Sequence, residues 1–324
     1  MGRTLVTGSA GFIASHLVEA LVADGAEVRA LAHYNARDDL GMLADIDPAV
    51  LSEVEVVRGD ITDPHQMRRI TAGCEQVMNL AALIGIPYSY VAPSAYVEAN
   101  IRGTLNLLEA AREEGVECFL QTSTSEIYGS AQYVPIDEKH PVHPQSPYAA
   151  TKVASDQLAL SYQRSFGTPA TVVRPFNTYG PRQSARAVIP TILSQLFAGG
   201  SVKLGNLDAR RDLTLAADTA QGFLAIAGAD TVGEVLNLGT GEDHSIQEIF
   251  DLCVRVTGRQ PELMTDETRV RPPDSEVDRL LSDPTRVREL TGWTHQHDLE
   301  SGLELTAAWI ERNLEQYRPE QYTV

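Results

Sequence analysis

Cysteine is scarce in this chain of 324 residues: Cys74, Cys118 and Cys253 lie far apart, with no CxxC pair and no neighbouring histidine. That spacing offers neither a disulfide framework nor a zinc ligand set, and a reducing cytoplasmic setting is expected. Basic charge is also short, with 26 Lys and Arg against 44 Asp and Glu, a formal net charge of -18. Such a surface repels nucleic acid and anionic lipid, so neither is an expected partner, and an anionic ligand must meet a concentrated local positive site. No stretch approaches the ~20 consecutive apolar residues that a membrane span needs. Met1 runs straight into a strand pattern with no apolar leader, and repeats and low-complexity tracts are missing.

What is present is a globular composition, 43% hydrophobic, arranged as short β-branched apolar runs alternating with longer segments of helical period. That pattern predicts an α/β fold, a Rossmann-type doubly wound parallel sheet wrapped by helices. Strands are predicted near 3–7, 27–32, 54–58, 76–81, 116–122, 169–174 and 233–238, and helices over Ser15–Ala23, Ser94–Glu113 and Pro147–Ser165. After Arg174, the breakers Pro175, Gly180, Pro181, Pro190 and Gly199-Gly200 shorten the pieces, and a smaller C-terminal domain is expected. The run Gly233–Gly241 reads as a strand returning to the first domain. The expected division is therefore interleaved: 1–175 plus 212–243 for dinucleotide binding, and 176–211 plus 244–324 for the substrate.

The first strand runs directly into Gly8-Ser-Ala-Gly11-Phe12-Ile13-Ala14 and then a helix, the context a dinucleotide-binding turn requires. Gly8 permits the tight turn, and Gly11 lets backbone N–H groups approach a pyrophosphate at the helix N-terminus. Ala14 stands where close packing usually wants a third glycine. The acid that often follows the second strand to bind the ribose of NAD is missing; His33, Tyr34 and Asn35 stand there, with Arg37 close behind. NAD and NADP both stay open on this ground. Asp60, after the third strand, is a candidate acceptor for the adenine amino group, or simply a surface turn acid.

The sharpest signal is Ser146-Pro-Tyr148-Ala-Ala-Thr-Lys152. Tyr148 and Lys152 are four apart on one helix and share a face, and Lys152 is one of only three lysines, with Lys139 and Lys203. A phenol is a poor base at pH 7, but a cation ~4 Å away at an effective dielectric of ~20 contributes ~4 kcal/mol, about three pKa units. Upstream, the fifth strand ends in Thr122-Ser-Thr124-Ser125-Glu126, at the edge where ligands bind in open parallel sheets. Thr124 can hydrogen-bond a substrate hydroxyl that Tyr148 deprotonates. Glu126 offers a base for a proton α to a new ketone, a step that plain oxidation does not need.

At these residues the chain resembles the extended short-chain dehydrogenases/reductases that act on nucleotide sugars. The motifs TGSAGFIAS, GDITD, NLAA, ANIRGTLNLLEAA, TSTSEIYG, SPYAATK and RPFNTYGPR occur in that family's order, from Arg3 to about Trp293. Within it, TSTSE, ALIGIPYSY and RPFNTYGPRQSARAVIPT are similar to sugar-nucleotide 4,6-dehydratases of the GDP-mannose and legionaminic-pathway N-acetylglucosamine types. The resemblance implies an oxidation triad of Thr124, Tyr148 and Lys152, with Glu126 as the elimination base. It implies a coenzyme site of Gly8, Gly11, Phe12, Ile13, His33, Asp60, Ile61, Leu80, Ala81, Ala82, Asn100 and Pro175 beside Tyr148 and Lys152. For a nucleotide-diphosphate sugar it implies Ser125, Asn177, Arg186, Val188, Arg211, Arg271 and Asp274, the arginines clamping the diphosphate.

One departure bears on mechanism: Ser125 stands where thymidine-sugar dehydratases carry an acid, so Glu126 would serve as both base and acid. GDP-mannose enzymes also lack that acid. The activity implied is an NAD(P)-dependent 4,6-dehydration, a hydro-lyase reaction giving a 4-keto-6-deoxy sugar nucleotide. NAD is the expected coenzyme, with NADP not excluded. The alternatives are a 4-epimerase, whose family members usually lack a carboxylate at the Glu126 position, or a uronate decarboxylase; a coenzyme sensor without chemistry is the remote one. A homodimer is expected through the helices Ser94–Glu113 and Pro147–Ser165, whose apolar surface exceeds what one covering face needs.

Overall fold

A computed structural model describes residues 2–266 and 277–319, and in it the alternating runs become a parallel sheet with an apolar layer on each face. Its strands are β1 (Arg3–Thr7), β2 (Glu27–His33), β3 (Glu55–Gly59), β4 (Gln76–Asn79), β5 (Cys118–Thr122) and β6 (Ala170–Pro175). Three short strands follow, β7 (Asn177–Tyr179), β8 (Ser201–Leu204) and β9 (Arg210–Leu215), before β10 (Val235–Leu238). The sheet order is β10-β6-β5-β4-β1-β2-β3. Read from the other edge, this is the doubly wound order with one strand added, and its direction of winding reverses between β1 and β4. The carboxyl ends of those two strands therefore open the crevice in which such sheets bind ligands.

Side-chain alternation fixes the register of the layers. Leu5, Val77, Phe119 and Val172 face one side and pack with Leu107, Leu108 and Ala159; their successors Val6, Met78, Leu120 and Val173 face the other and pack with Leu17, Phe223 and Trp293. A one-residue slip of any strand would exchange its faces, and with both faces apolar the parallel pairing geometry keeps the register. The predicted strands match the observed ones to within two residues at each end. The first helix begins at Phe12, immediately after the turn, rather than at Ser15.

The predicted helix over Ser94–Glu113 is interrupted. It consists of a turn at Pro93–Tyr96, a π-helical stretch over Val97–Arg102 and an α-helix over Gly103–Glu114. Asn100, in the widened turn, directs its amide to the loop after β4, and a Cβ at Gly103 would stand 2.4 Å from Ile61 Cδ1. The helix Pro147–Phe166 starts as predicted, with Pro147 in the first turn and the Ser146 hydroxyl accepting from the Ala149 N–H at 3.1 Å.

A second sheet joins β7 and β9 to β11 (Asp243–Ser245) and β13 (Arg279–Leu280), and β8 pairs with β12 (Glu262–Thr265). These strands cover a separate core that includes Leu213, Leu215, Ile249 and Ile310. The helix Ala216–Ala227 packs against Phe12–Ala23, β10 lies beside β6, and Val287 and Trp293 enter the core of the large sheet. On that placement we propose two interleaved units, with returns to the first at Ala216–Leu238 and again at Thr285–Trp293; Asp212–Leu215 stays in the second sheet. No helix among the described residues is long and apolar enough to cross a membrane.

Candidate active site

The turn after β1 is shaped by close backbone approach. Gly8 has φ +67, and a Cβ there would lie 2.8 Å from Ala81 Cα and 2.9 Å from Ala81 N, so only glycine lets the β1 and β4 ends converge. The same convergence is bonded: the Thr7 hydroxyl accepts from the N–H groups of Leu80 (3.1 Å) and Ala81 (3.0 Å) and donates to Asn79 Oδ1. Gly11 caps the helix Phe12–Ala23 with no side-chain acceptor, so the first-turn N–H groups of Phe12 and Ile13 keep their bonding capacity for an anion. Ser9 Oγ is buried and without a partner among the described residues. An unfilled donor, open helix N–H groups and a glycine cradle together fit a dinucleotide pyrophosphate.

At the far end of this crevice His33 is exposed, and its Nε2 lies 3.4 Å from Asp60 Oδ2. Burial pushes the Asp60 carboxyl up, but the Thr62 N–H and hydroxyl on Oδ1, together with His33, outweigh it and hold Asp60 below its ordinary value. Asp60 is thus an ionised acceptor with one oxygen committed to its own turn. Ile61 is buried against Gly103, and Asn106 donates to its carbonyl at 3.0 Å. Ala82 opens a cleft of about 430 Å³, lined also by Gly85, Tyr88, Tyr96 and Arg186.

The structure brings Thr124, Glu126, Tyr148 and Lys152 together at the carboxyl end of β5. Thr124 caps the short turn Ser125–Tyr128 by accepting from the Glu126 N–H at 3.2 Å, and its side chain bonds the Tyr148 phenol. Glu126 is close enough for its charge to act on that phenol, and its carboxylate takes no hydrogen bond and no ion pair among the described residues. Lys152 is buried and donates to Thr122 O at 2.6 Å. Asn100 ties two elements together: it accepts from Leu83 N at 2.8 Å and donates to Leu83 O and to the Thr151 hydroxyl on the helix Pro147–Phe166.

One expectation is corrected. The Coulomb arithmetic anticipated a phenol depressed by Lys152, whereas burial drives Tyr148 above its ordinary value and only the bond from Thr124 opposes it; Glu126, Tyr96 and Asp156 push the same way as burial. Burial also pulls the Lys152 ammonium down to about 8, with Asp156 opposing. Desolvation, which the pairwise sum omitted, is the larger effect on both groups.

The implied substrate residues divide. Ser125 is buried beside Thr124, Asn177 begins β7 with a buried Oδ1 that has no partner among the described residues, and Pro175, implied for the coenzyme rather than the substrate, closes β6. Arg186 reaches the cleft beside Gly85, its Nε donating to Ser184 Oγ at 3.5 Å, and Val188 opens the helix Val188–Ala198. Arg211 lies on β9, the strand that pairs with β7 at Asn177, and donates to the carbonyls of Arg210 and Asp278. Arg271 and Asp274 lie outside the described residues. Tyr96, edge-on to Tyr148 at 6.4 Å and bonded to Gly85 O, is a neighbour that the motifs did not single out.

A doubly wound sheet with a glycine turn at its switch point and a Tyr–Lys pair on the next edge defines the class, a short-chain dehydrogenase/reductase. More closely, the family model described as GDP-mannose 4,6 dehydratase matches residues 5–306, and the chain belongs to that family of extended members of the class. It is similar to the dTDP-glucose 4,6-dehydratase of Streptomyces griseus, 34% identical over 97% of this chain and 96% of the relative. It is as similar to the UDP-glucose 4-epimerase of Mycolicibacterium smegmatis, 35% identical over 95% and 98%. A solved structure of dTDP-glucose 4,6-dehydratase from Streptomyces venezuelae, with NAD and TYD bound, matches with a TM-score of 0.85 at 29% identity, covering 98% of this chain and 100% of that one. The family is one of nucleotide-sugar 4,6-dehydratases and 4-epimerases.

Proposed function

We propose that this chain is an NAD-dependent nucleotide-sugar 4,6-dehydratase that forms a 4-keto-6-deoxy sugar nucleotide from UDP-N-acetylglucosamine or a related NDP-hexose. The observation that carries the reading is Glu126, a carboxylate beside Tyr148 with no ion pair or hydrogen bond among the described residues to occupy it. A salt-bridged loop acid would have no base to offer; an unpaired one next to the oxidation site does. The Gly8–Gly11 turn and the Phe12 helix end would hold NAD, which would supply a hydride acceptor for C4 and a hydride donor for C6.

Thr124 orients the C4 hydroxyl, and Tyr148 takes its proton as the ketone forms. Lys152, one turn along the same helix and bonded to Thr122 O, would supply the positive charge that this phenolate needs against the burial that raises the free phenol. The ketone acidifies C5, and Glu126 removes that proton. With Ser125 unable to act as an acid, Glu126 passes the proton to the departing C6 hydroxyl, which leaves as water. When hydride adds at C6, C5 takes up one proton, which balances the one Tyr148 took from the C4 hydroxyl and resets the site. Asn177, with its buried unpartnered oxygen, and Arg186, at the mouth of the cleft, are the described residues best placed for the substrate; Arg211 is proposed as a diphosphate clamp on resemblance alone. A second reading, 4-epimerisation, is supported by the equal identity to an epimerase and needs no base at C5.

The substitution Glu126→Gln separates the two. With a panel of sugar nucleotides, the wild-type protein is expected to give a 4-keto-6-deoxy product by mass spectrometry. The glutamine variant is expected to retain C4 oxidation, seen as persistent absorbance of reduced nicotinamide, and to lose dehydration by 10²–10⁴-fold, the usual cost of a positioned base. Dehydration by the variant at close to the normal rate overturns the role of Glu126. Epimer formation by the wild-type protein without loss of water overturns the dehydratase reading.

A further inference from the structure

One helical turn beyond Lys152 lies a carboxylate that the proposed reaction does not use. Asp156 follows Lys152 by four residues, so Tyr148, Lys152 and Asp156 line one face of the helix, and Asp156 is 0% exposed. Its Oδ2 accepts from Ser123 Oγ at 2.9 Å and from Arg174 Nε and Nη2 at 3.3 and 3.2 Å; its Oδ1 has no partner among the described residues. The residue before Ser123 is Thr122, whose carbonyl holds Lys152. The residue after it is Thr124. The end of β5 is thus held from the Thr122 carbonyl by Lys152, from the Ser123 hydroxyl by Asp156, and from the Ser123 N–H by Val173 O at 2.6 Å.

We propose that Asp156 is a positioning residue that acts through Lys152: its negative charge keeps that ammonium protonated near neutral pH, and its bond to Ser123 sets the strand end that presents Thr122 and Thr124. The proposal rests on the reading of Tyr148 and Lys152 as the oxidation pair. The charged and titratable groups on the elements packed about this helix are Tyr148 and Asp156 on the helix itself, Glu126 on the turn after β5, Arg174 on β6, which donates to Tyr128 at 2.9 Å, and Tyr96 beside Tyr148. Of these, Asp156 is the one whose charge raises Lys152 against the pull of burial. Burial holds the Asp156 carboxyl above its ordinary value, and Arg174, Ser123 and Lys152 oppose it. The paired N–H groups of Arg174 on Asp156 Oδ2, from a guanidinium that keeps its proton, favour the charged form of that carboxyl.

The three lysines of the chain make the test direct. With lysine labelled at the ε-carbon, the full-length protein gives three signals that titrate by NMR, and Lys152→Met assigns the one of interest. In Asp156→Asn the Lys152 midpoint is expected to fall by about one pH unit or more, while Lys139 and Lys203 stay where they were. Asp156→Glu keeps the charge and is expected to bring the midpoint back toward the wild-type value. If Asp156→Asn does not fold, because Arg174 is left buried without its anion, the double variant Asp156→Asn, Arg174→Met removes both ends of the pair and is read in the same way. An unchanged Lys152 midpoint in the folded asparagine or double variant overturns the proposal, as does a glutamate variant whose midpoint is as low as that of the asparagine one. The measurement needs no substrate, so its failure is distinct from a failure of the dehydratase reading, which Glu126→Gln tests.

Discussion

A buried ammonium is an expense that the fold carries for chemistry, and Lys152 shows its sign. Burial takes it from an ordinary 10.5 down to about 8. Between those two values the unfolded chain holds a proton that the folded chain has shed, so this group's contribution to stability increases as pH rises through that window. At pH 7 both states are protonated, and the folded state bears the full desolvation cost. The substitution Lys152→Met is therefore expected to stabilise the protein at pH 7 by about 1–3 kcal/mol while abolishing turnover, with the gap to wild type narrowing by pH 9. Denaturant unfolding at the two pH values checks this; a methionine variant less stable at pH 7 would show that the bond to Thr122 O outweighs desolvation. The spacing of Tyr148 and Lys152 was legible in the sequence because four residues bring side chains to one helical face. The direction of their pKa shifts was not, since it depends on how deeply the surrounding elements bury them. Asp156 continues the same spacing, so a signal for it was present, but without Ser123 and Arg174 in place it reads as an ordinary helix acid.

Among the elements, the π-helical stretch Val97–Arg102 carries most of the support for the site. It turns Asn100 inward to 1% exposure, where its amide meets both backbone groups of Leu83 and the Thr151 hydroxyl. Widened turns of this kind recur where a helix must deliver a side chain that regular geometry would aim elsewhere. Asn100→Leu keeps the volume and leaves the Leu83 N–H and C=O and the Thr151 hydroxyl without that partner, so a loss on the order of 2–4 kcal/mol is expected, read as a lower urea midpoint. A loss under half a kcal/mol would mean that water or a neighbour replaces the amide. The sequence indicated a helix here but not its interruption, because the cause is tertiary: Leu83, Thr151 and Ile61 are distant in the chain. Strands fared better for the opposite reason. Their apolar runs are bounded by Gly, Asn and Asp, and these local signals place the ends of β1 and β2 within a residue.

For the molecule as a whole, the proposed homodimer and coenzyme preference are both measurable in solution. Light scattering at micromolar concentration is expected to give twice the chain mass of 35.3 kDa, and a monomeric mass would overturn the expectation. NAD is expected to raise the melting temperature more than NADP does, since a ligand stabilises the folded state in proportion to its binding; the reverse order would place a reader of the 2′-phosphate near Arg37. The return of β10 to the side of β6 bears on how the chain is made. As the protein emerges from the ribosome, β6 is complete at Pro175 but its pairing partner begins only at Val235, roughly 60 residues later. At ~5–20 residues per second, that strand waits ~3–12 s with an open apolar edge. The nascent chain must pass through this interval before its first unit can close, which makes a chaperone that shields a strand edge most useful between those two points of synthesis.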